Sequence, residues 1–179
     1  MEKRHIHHLL LPGLLLAIAA LFPGCGPSAP KNKAKTVPTS YRFVLNATFA
    51  YPSLYLKVEK EDKGGSTLLY FSDGGFDIQI FKAPKDLLPK IGQMANDYGL
   101  SKLDSHYRPT LKVLDGMSWN LSVSYPSPTP SIYSSGENQW PGGDLRKGIN
   151  EINRMLRDLA EGGTLEVVGS TDHSKEREY

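Results

Sequence analysis

From Tyr41 the chain alternates with a period of two: Tyr41, Phe43, Leu45, Ala47 and Phe49 fall on one side, Arg42, Val44, Asn46 and Thr48 on the other. That spacing predicts a half-buried strand, because successive side chains in extended backbone point to opposite faces. After the Tyr51-Pro52 corner, Leu54, Leu56 and Val58 alternate with Tyr55, Lys57 and Glu59. The polar run from Glu61 to Ser66, with two glycines, reads as a hairpin turn, Thr67 to Phe71 as a third strand, and Ser72-Asp73-Gly74-Gly75 as a second turn. A fourth strand places Phe76, Ile78 and Ile80 opposite Asp77 and Gln79. Four strands joined by short turns predict an antiparallel meander.

The period then lengthens. Leu87, Leu88, Ile91, Ala95 and Tyr98 make a helical stripe with Asp86 as N-cap and Gly99 just past the end. Pro89 is compatible with a helix only in its first turn, which fixes the start. Further on, Leu111 to Leu114 reads as a short strand, and Trp119, Leu121, Val123 and Tyr125 alternate cleanly with Asn120, Ser122 and Ser124. The prolines at 126, 128 and 130 interrupt that strand, and Ile132 to Ser134 resumes as an edge. A second helix is marked by Leu145, Ile149, Ile152, Leu156 and Leu159, with Asp144 as N-cap and Gly162-Gly163 as the stop; Arg154 with Asp158 and Arg157 with Glu161 are spaced to pair on its outer side. Thr164 to Val168 reads as a last strand. The expected architecture is a single α+β domain over 41–168, an antiparallel sheet with two helices packed on one face, followed by a polar disordered tail over 169–179.

The segment ahead of the domain has a different grammar. Lys3, Arg4 and three histidines precede an uninterrupted run, Leu9 to Phe22, with no charge. As a helix this run is about 21 Å long, short of the roughly 30 Å a spanning helix needs, and Pro12 and Gly13 weaken it further. A basic n-region before a short apolar h-region predicts a signal peptide over 1–24. The run ends Leu21-Phe22-Pro23-Gly24-Cys25, and at this point the segment resembles the export signal of bacterial lipoproteins, although Phe22 stands where that pattern prefers Leu. The resemblance implies lipidation of the Cys25 thiol, cleavage before it and acylation of the new amino terminus. It also implies an extracytoplasmic address in the cell envelope with membrane lipid as the first partner, and Gly26 after the cysteine leans that address toward the outer membrane. Two or three acyl chains, at about 0.8 kcal/mol per buried CH₂, hold a soluble domain at a membrane where one chain is marginal. Residues 25–40, with three prolines and three lysines, have too little apolar surface to order themselves and are expected to form a flexible tether.

Composition narrows function mainly by exclusion. Of 179 residues, 39% are hydrophobic and 22% charged, which suits one globular domain. The 21 basic and 19 acidic residues leave a balance of +2, without the dense basic stripe of a nucleic-acid binder. Cys25 is the sole cysteine, so an internal disulfide and a multi-cysteine zinc site are both excluded. Past the signal only His106 and His173 remain, with no His-Glu-x-x-His, Gly-x-Ser-x-Gly, Walker or EF-hand spacing. Catalytic residues, metal ligands and a cofactor are therefore not expected.

The segment least like scaffold runs from Tyr133 to Gly143. Tyr133, Glu137, Asn138, Gln139 and Trp140 are the candidate ligand-binding residues, because loops beside rigid elements concentrate binding groups and an indole flanked by amides suits a sugar or a peptide. Two readings stand for Trp140: a ligand anchor in a cleft, or a core side chain docked beside the second helix. The overall expectation is a non-enzymatic, membrane-tethered lipoprotein that meets an envelope protein partner or serves assembly. The alternative is a glycan- or peptide-binding module centred on 133–143.

Overall fold

The computed structural model describes residues 36–47, 52–61, 64–110 and 116–176. The signal-like run, Cys25 and the predicted strand at Leu111 to Leu114 lie outside the described residues. Strands β1 (Ser40–Asn46), β2 (Leu54–Lys60), β3 (Thr67–Ser72) and β4 (Asp77–Ala83) form the expected meander. Helix α1 (Leu87–Asp97), a 3-10 turn and the two-residue β5 (His106–Tyr107) follow. Then come β6 (Ser118–Ser124), β7 (Ile132–Glu137), α2 (Gly143–Glu161) and β8 (Glu166–Asp172). The sheet order is β5-β7-β6-β1-β2-β3-β4-β8, antiparallel throughout except for the β5/β7 pair. This is an α+β fold.

Both helices lie on one face. Tyr41, Phe43, Leu56, Val58, Leu69, Trp119, Leu121 and Val123 point from the strands into a core with Leu87, Leu88, Ile91 and Ala95 of α1 and Ile149, Ile152 and Leu156 of α2. Fully burying a side chain of this kind contributes about 1.5–3 kcal/mol, so the two amphipathic stripes carry much of the stability. The helices touch where Gly148 faces Tyr98; a Cβ there would sit 2.5 Å from Tyr98 Cβ, so only glycine permits that approach. Among the polar groups buried with the core, Tyr41 Oη donates to Asn153 Oδ1 at 2.6 Å, which gives both atoms a partner.

The opposite face has its own smaller cluster of Val44, Tyr55 and Ile78, with Tyr70 against it. Ile78 of β4 therefore serves this face, while Phe81 and Ala83 serve the helix side. The chain beyond β8 covers this cluster. The buried His173 ring meets Tyr55 edge-on at 5.5 Å, and Glu176 Oε2 accepts from Tyr55 Oη at 3.0 Å and from Lys57 Nζ at 3.1 Å.

Several boundaries shift for physical reasons. The tail expected over 169–179 is replaced through Glu176 by the end of β8 and a turn, because β4 supplies a hydrogen-bonding edge and Tyr55 a surface to cover. The tether expected over 25–40 is attached from Thr36: Pro38 is buried against Gly92, and Thr39 N donates to Ser124 O at 2.8 Å. Helix α2 begins at Gly143 with Gly142 as N-cap, so Asp144 is an acid in the first turn instead of the cap. Arg154 pairs with Glu151 and not Asp158, whereas Arg157 does reach Glu161 at 3.9 Å and also Asp73 at 3.5 Å.

Candidate functional site

The stretch 133–143 is mostly not a loop. Tyr133 to Glu137 belong to β7, paired with β6 from Ile132↔Val123 to Glu137↔Ser118. Gly136 lies under the Trp119 indole; a Cβ there would be 2.2 Å from Trp119 Nε1 and 2.4 Å from Gln139 O. The missing side chain lets Trp119 Nε1 donate to the Gln139 carbonyl at 2.8 Å. Asn138 takes a left-handed conformation, φ 52°, which Asn tolerates better than most residues. Its Oδ1 accepts from Met117 N at 2.7 Å. Trp140 stacks on Trp119 with centroids 5.1 Å apart and planes 13° from parallel, lies 6.2 Å from the Phe43 ring, and has the Arg146 guanidinium 5.6 Å from its centroid.

Those contacts divide the candidate residues. Trp140 is partly buried against the helix-side core and takes the docked reading, not the anchor in a cleft. Asn138 and Gln139 shape the turn that holds the two indoles. Tyr133 and Glu137 are exposed on the opposite face, Tyr133 at 65%. The five residues therefore do not converge on one point.

What the sheet does bring together was not legible from spacing. Parallel pairing of β5 with β7 sets His106 opposite Ser135. His106 Nδ1 is 2.7 Å from Ser135 Oγ, Arg108 Nε donates to His106 Nε2, and Ser135 Oγ donates to Ser105 O at 3.3 Å. Glu137 Oε1 stands 4.0 Å from His106 Nε2 and 3.9 Å from an Arg108 nitrogen. Donor and acceptor roles, assigned from this network, agree in one order: Arg108 to Nε2, Nδ1–H to Ser135, Ser135 to the Ser105 carbonyl. In that order the imidazole donates to the hydroxyl, the reverse of what a general base does to a serine nucleophile. The cluster braces a short edge strand and presents a charged, hydrogen-bonding rim.

This rim borders a polar surface. Across β1, β6 and β7 the register aligns Arg42 with Ser122 and Tyr133, Val44 with Asn120 and Ser135, and Asn46 with Ser118 and Glu137. Asn46 Nδ2 donates to Ser118 Oγ at 3.4 Å, and Asn120 is exposed. The C-terminal turn covers the β2–β3–β4 half of this face; among the described residues nothing covers the β6–β7 half.

Elsewhere, an open cleft of about 530 Å³ separates α1 from the end of α2, floored by Met94, Met155 and Leu159 and rimmed by Lys90, Glu151, Arg154 and Asp158. Among the described residues no group of three or more His, Cys, Asp or Glu is placed to hold a metal ion, and no helix is long and apolar enough to cross a membrane. Compared with known protein families and with characterised proteins, the sequence matches none.

Proposed function

We propose that this chain is a lipid-anchored extracytoplasmic domain of the bacterial cell envelope that works by binding an envelope protein partner and not by catalysis. Acyl chains on Cys25 supply the attachment, and the uncovered β6–β7 half of the sheet supplies the contact. The observation that carries the contact is the division of one sheet face. Half of it is closed by His173 and Glu176, while the other half leaves Asn120, Tyr133 and Glu137 exposed beside Arg108. Tyr and Arg are enriched where proteins meet, because each offers a large apolar body together with a polar end. The glycan- or peptide-binding alternative keeps Tyr133 and Glu137 but loses Trp140 as its anchor, since that ring is engaged with Trp119.

Photocross-linking in cells tests the contact. A photoreactive residue at Tyr133 of the full chain is expected to give a discrete protein adduct, one at the exposed Lys147 of α2 to give none, and Glu137→Arg to abolish the Tyr133 adduct. Equal adducts from both positions, or none from Tyr133, would contradict the proposal.

A further inference from the structure

One row of side chains crosses both halves of the polar face. Tyr133 pairs with Ser122, Ser122 with Arg42, Arg42 with Lys57 and Lys57 with Tyr70. Residues paired across a ladder share a face, and neighbouring strands lie about 4.8 Å apart, so Lys57 stands about 14 Å from Tyr133. Around Lys57 three donors gather. The Arg42 guanidinium lies 5.6 Å from the Tyr55 ring centroid, the Tyr55 hydroxyl points the same way, and the Lys57 ammonium lies 4.7 Å from the Tyr70 ring centroid. Glu59, 3.0 Å from Lys57 Nζ, balances one of the two cations from within β2. The second carboxylate is Glu176, whose Oε2 accepts from both Tyr55 Oη and Lys57 Nζ. It comes from the turn after β8 and not from the sheet, and its neighbours Lys175 and Asp172 pair with each other at 3.7 Å. Without Glu176 the cluster keeps two cations against one carboxylate, and the Tyr55 hydroxyl loses the acceptor that Glu176 supplies.

We infer that Arg42, Tyr55 and Lys57 form a carboxylate-binding subsite, that Glu176 fills it as an internal stand-in, and that its ligand is an acidic side chain of the protein partner, which binds by exchanging with Glu176. The protein origin of that carboxylate rests on the reading of the β6–β7 half as a partner contact, since a segment seated on Tyr133 has only about 14 Å to cross before it meets Lys57. Exchange asks little of the fold. His173, buried against Tyr55, holds the turn in place without help from Glu176. The incoming carboxylate takes over the same phenol and ammonium, so two charge-assisted hydrogen bonds are replaced and not lost. Lys57 and Glu176 are each 19% exposed, and an ion pair that water reaches is weakly held. Occupancy by the chain's own carboxylate lowers the affinity for any other by the fraction of time the subsite is free. Binding is thereby confined to a partner that grips the Tyr133 end as well, which raises the effective concentration of its acid at Lys57.

Fluorescence anisotropy of labelled hexaglutamate added to the purified full chain tests the subsite. Glu176→Ala is expected to bind this peptide on the order of tenfold more tightly than the unaltered chain, because the internal competitor is gone. Glu176→Gln, which keeps the size of the side chain, is expected to shift the affinity in the same direction. Adding Lys57→Gln to Glu176→Ala is expected to return the affinity to that of the unaltered chain or below it, and hexaglutamine is expected to bind none of the four. Equal or weaker binding by Glu176→Ala overturns the inference while leaving the Tyr133 contact standing, as does a gain that survives Lys57→Gln. A gain that Lys57→Gln cancels, with no Tyr133 adduct in cells, upholds the subsite and overturns a protein as the source of its carboxylate.

Discussion

Trp119→Ala is expected to destabilise the domain by about 3–5 kcal/mol, the range for removing a large buried aromatic. Trp119 is 1% exposed, its ring lies 5.9 Å from that of Tyr107 and 5.1 Å from that of Trp140, and its Nε1 donates to the Gln139 carbonyl. Alanine forfeits the buried area and the ring contacts, worth about 0.5–1.5 kcal/mol per aromatic pair, and leaves a space that Gly136 has no side chain to fill. The turn from Glu137 to Trp140 would loosen with it. Urea unfolding measures the change; a loss under about 1 kcal/mol would contradict the role assigned to this ring.

Stability is also expected to fall steeply above about pH 10, and the sign follows from two buried tyrosines. Burial pushes the Tyr41 hydroxyl far above its ordinary range, and burial followed by the negative charge of Glu176 does the same for Tyr55, against the opposing effect of Arg42. In the unfolded chain both ionise near pH 10, so above that value the unfolded state binds fewer protons and gains relative to the folded one. The stabilisation is complete below the unfolded value and is lost as pH rises toward the raised folded values. Each tyrosine contributes a slope of about 1.4 kcal/mol per pH unit. Tyr41→Phe is expected to remove its share of the slope while costing about 1–3 kcal/mol at neutral pH, because Asn153 loses its donor. Urea midpoints measured between about pH 9 and about pH 11 check both; a flat profile would contradict the burial of these hydroxyls.

The strands and helices were legible because their burial is periodic. In α2 the apolar spacing alone marks Ile149, Ile152 and Leu156, all fully buried. Other features depend on partners distant in sequence. The extension of β8 to Asp172 cannot be read from a polar run, since it exists through pairing with β4. Likewise β5 is defined by two residues lying beside β7, with no period to announce it. In β4 the pattern favoured Ile78 and Ile80 as the core face, and the sheet uses both sides of that strand. The candidate site was half legible: Tyr133 and Glu137 are exposed on the uncovered β6–β7 face, while Trp140 stacks on a neighbouring indole. Its true neighbours, His106 and Arg108, stand 25 or more positions away and are brought there by a parallel pairing that leaves no local signal.

Attachment of the domain through Cys25 is read out by the intact mass of the protein extracted from cell membranes. The expected species is a chain beginning at Cys25 and carrying a thioether-linked diacylglyceryl group and an amide-linked acyl chain, with Cys25→Ala yielding no such species. A chain whose mass corresponds to an unmodified Cys25, whether cleaved elsewhere or intact from Met1, would contradict it.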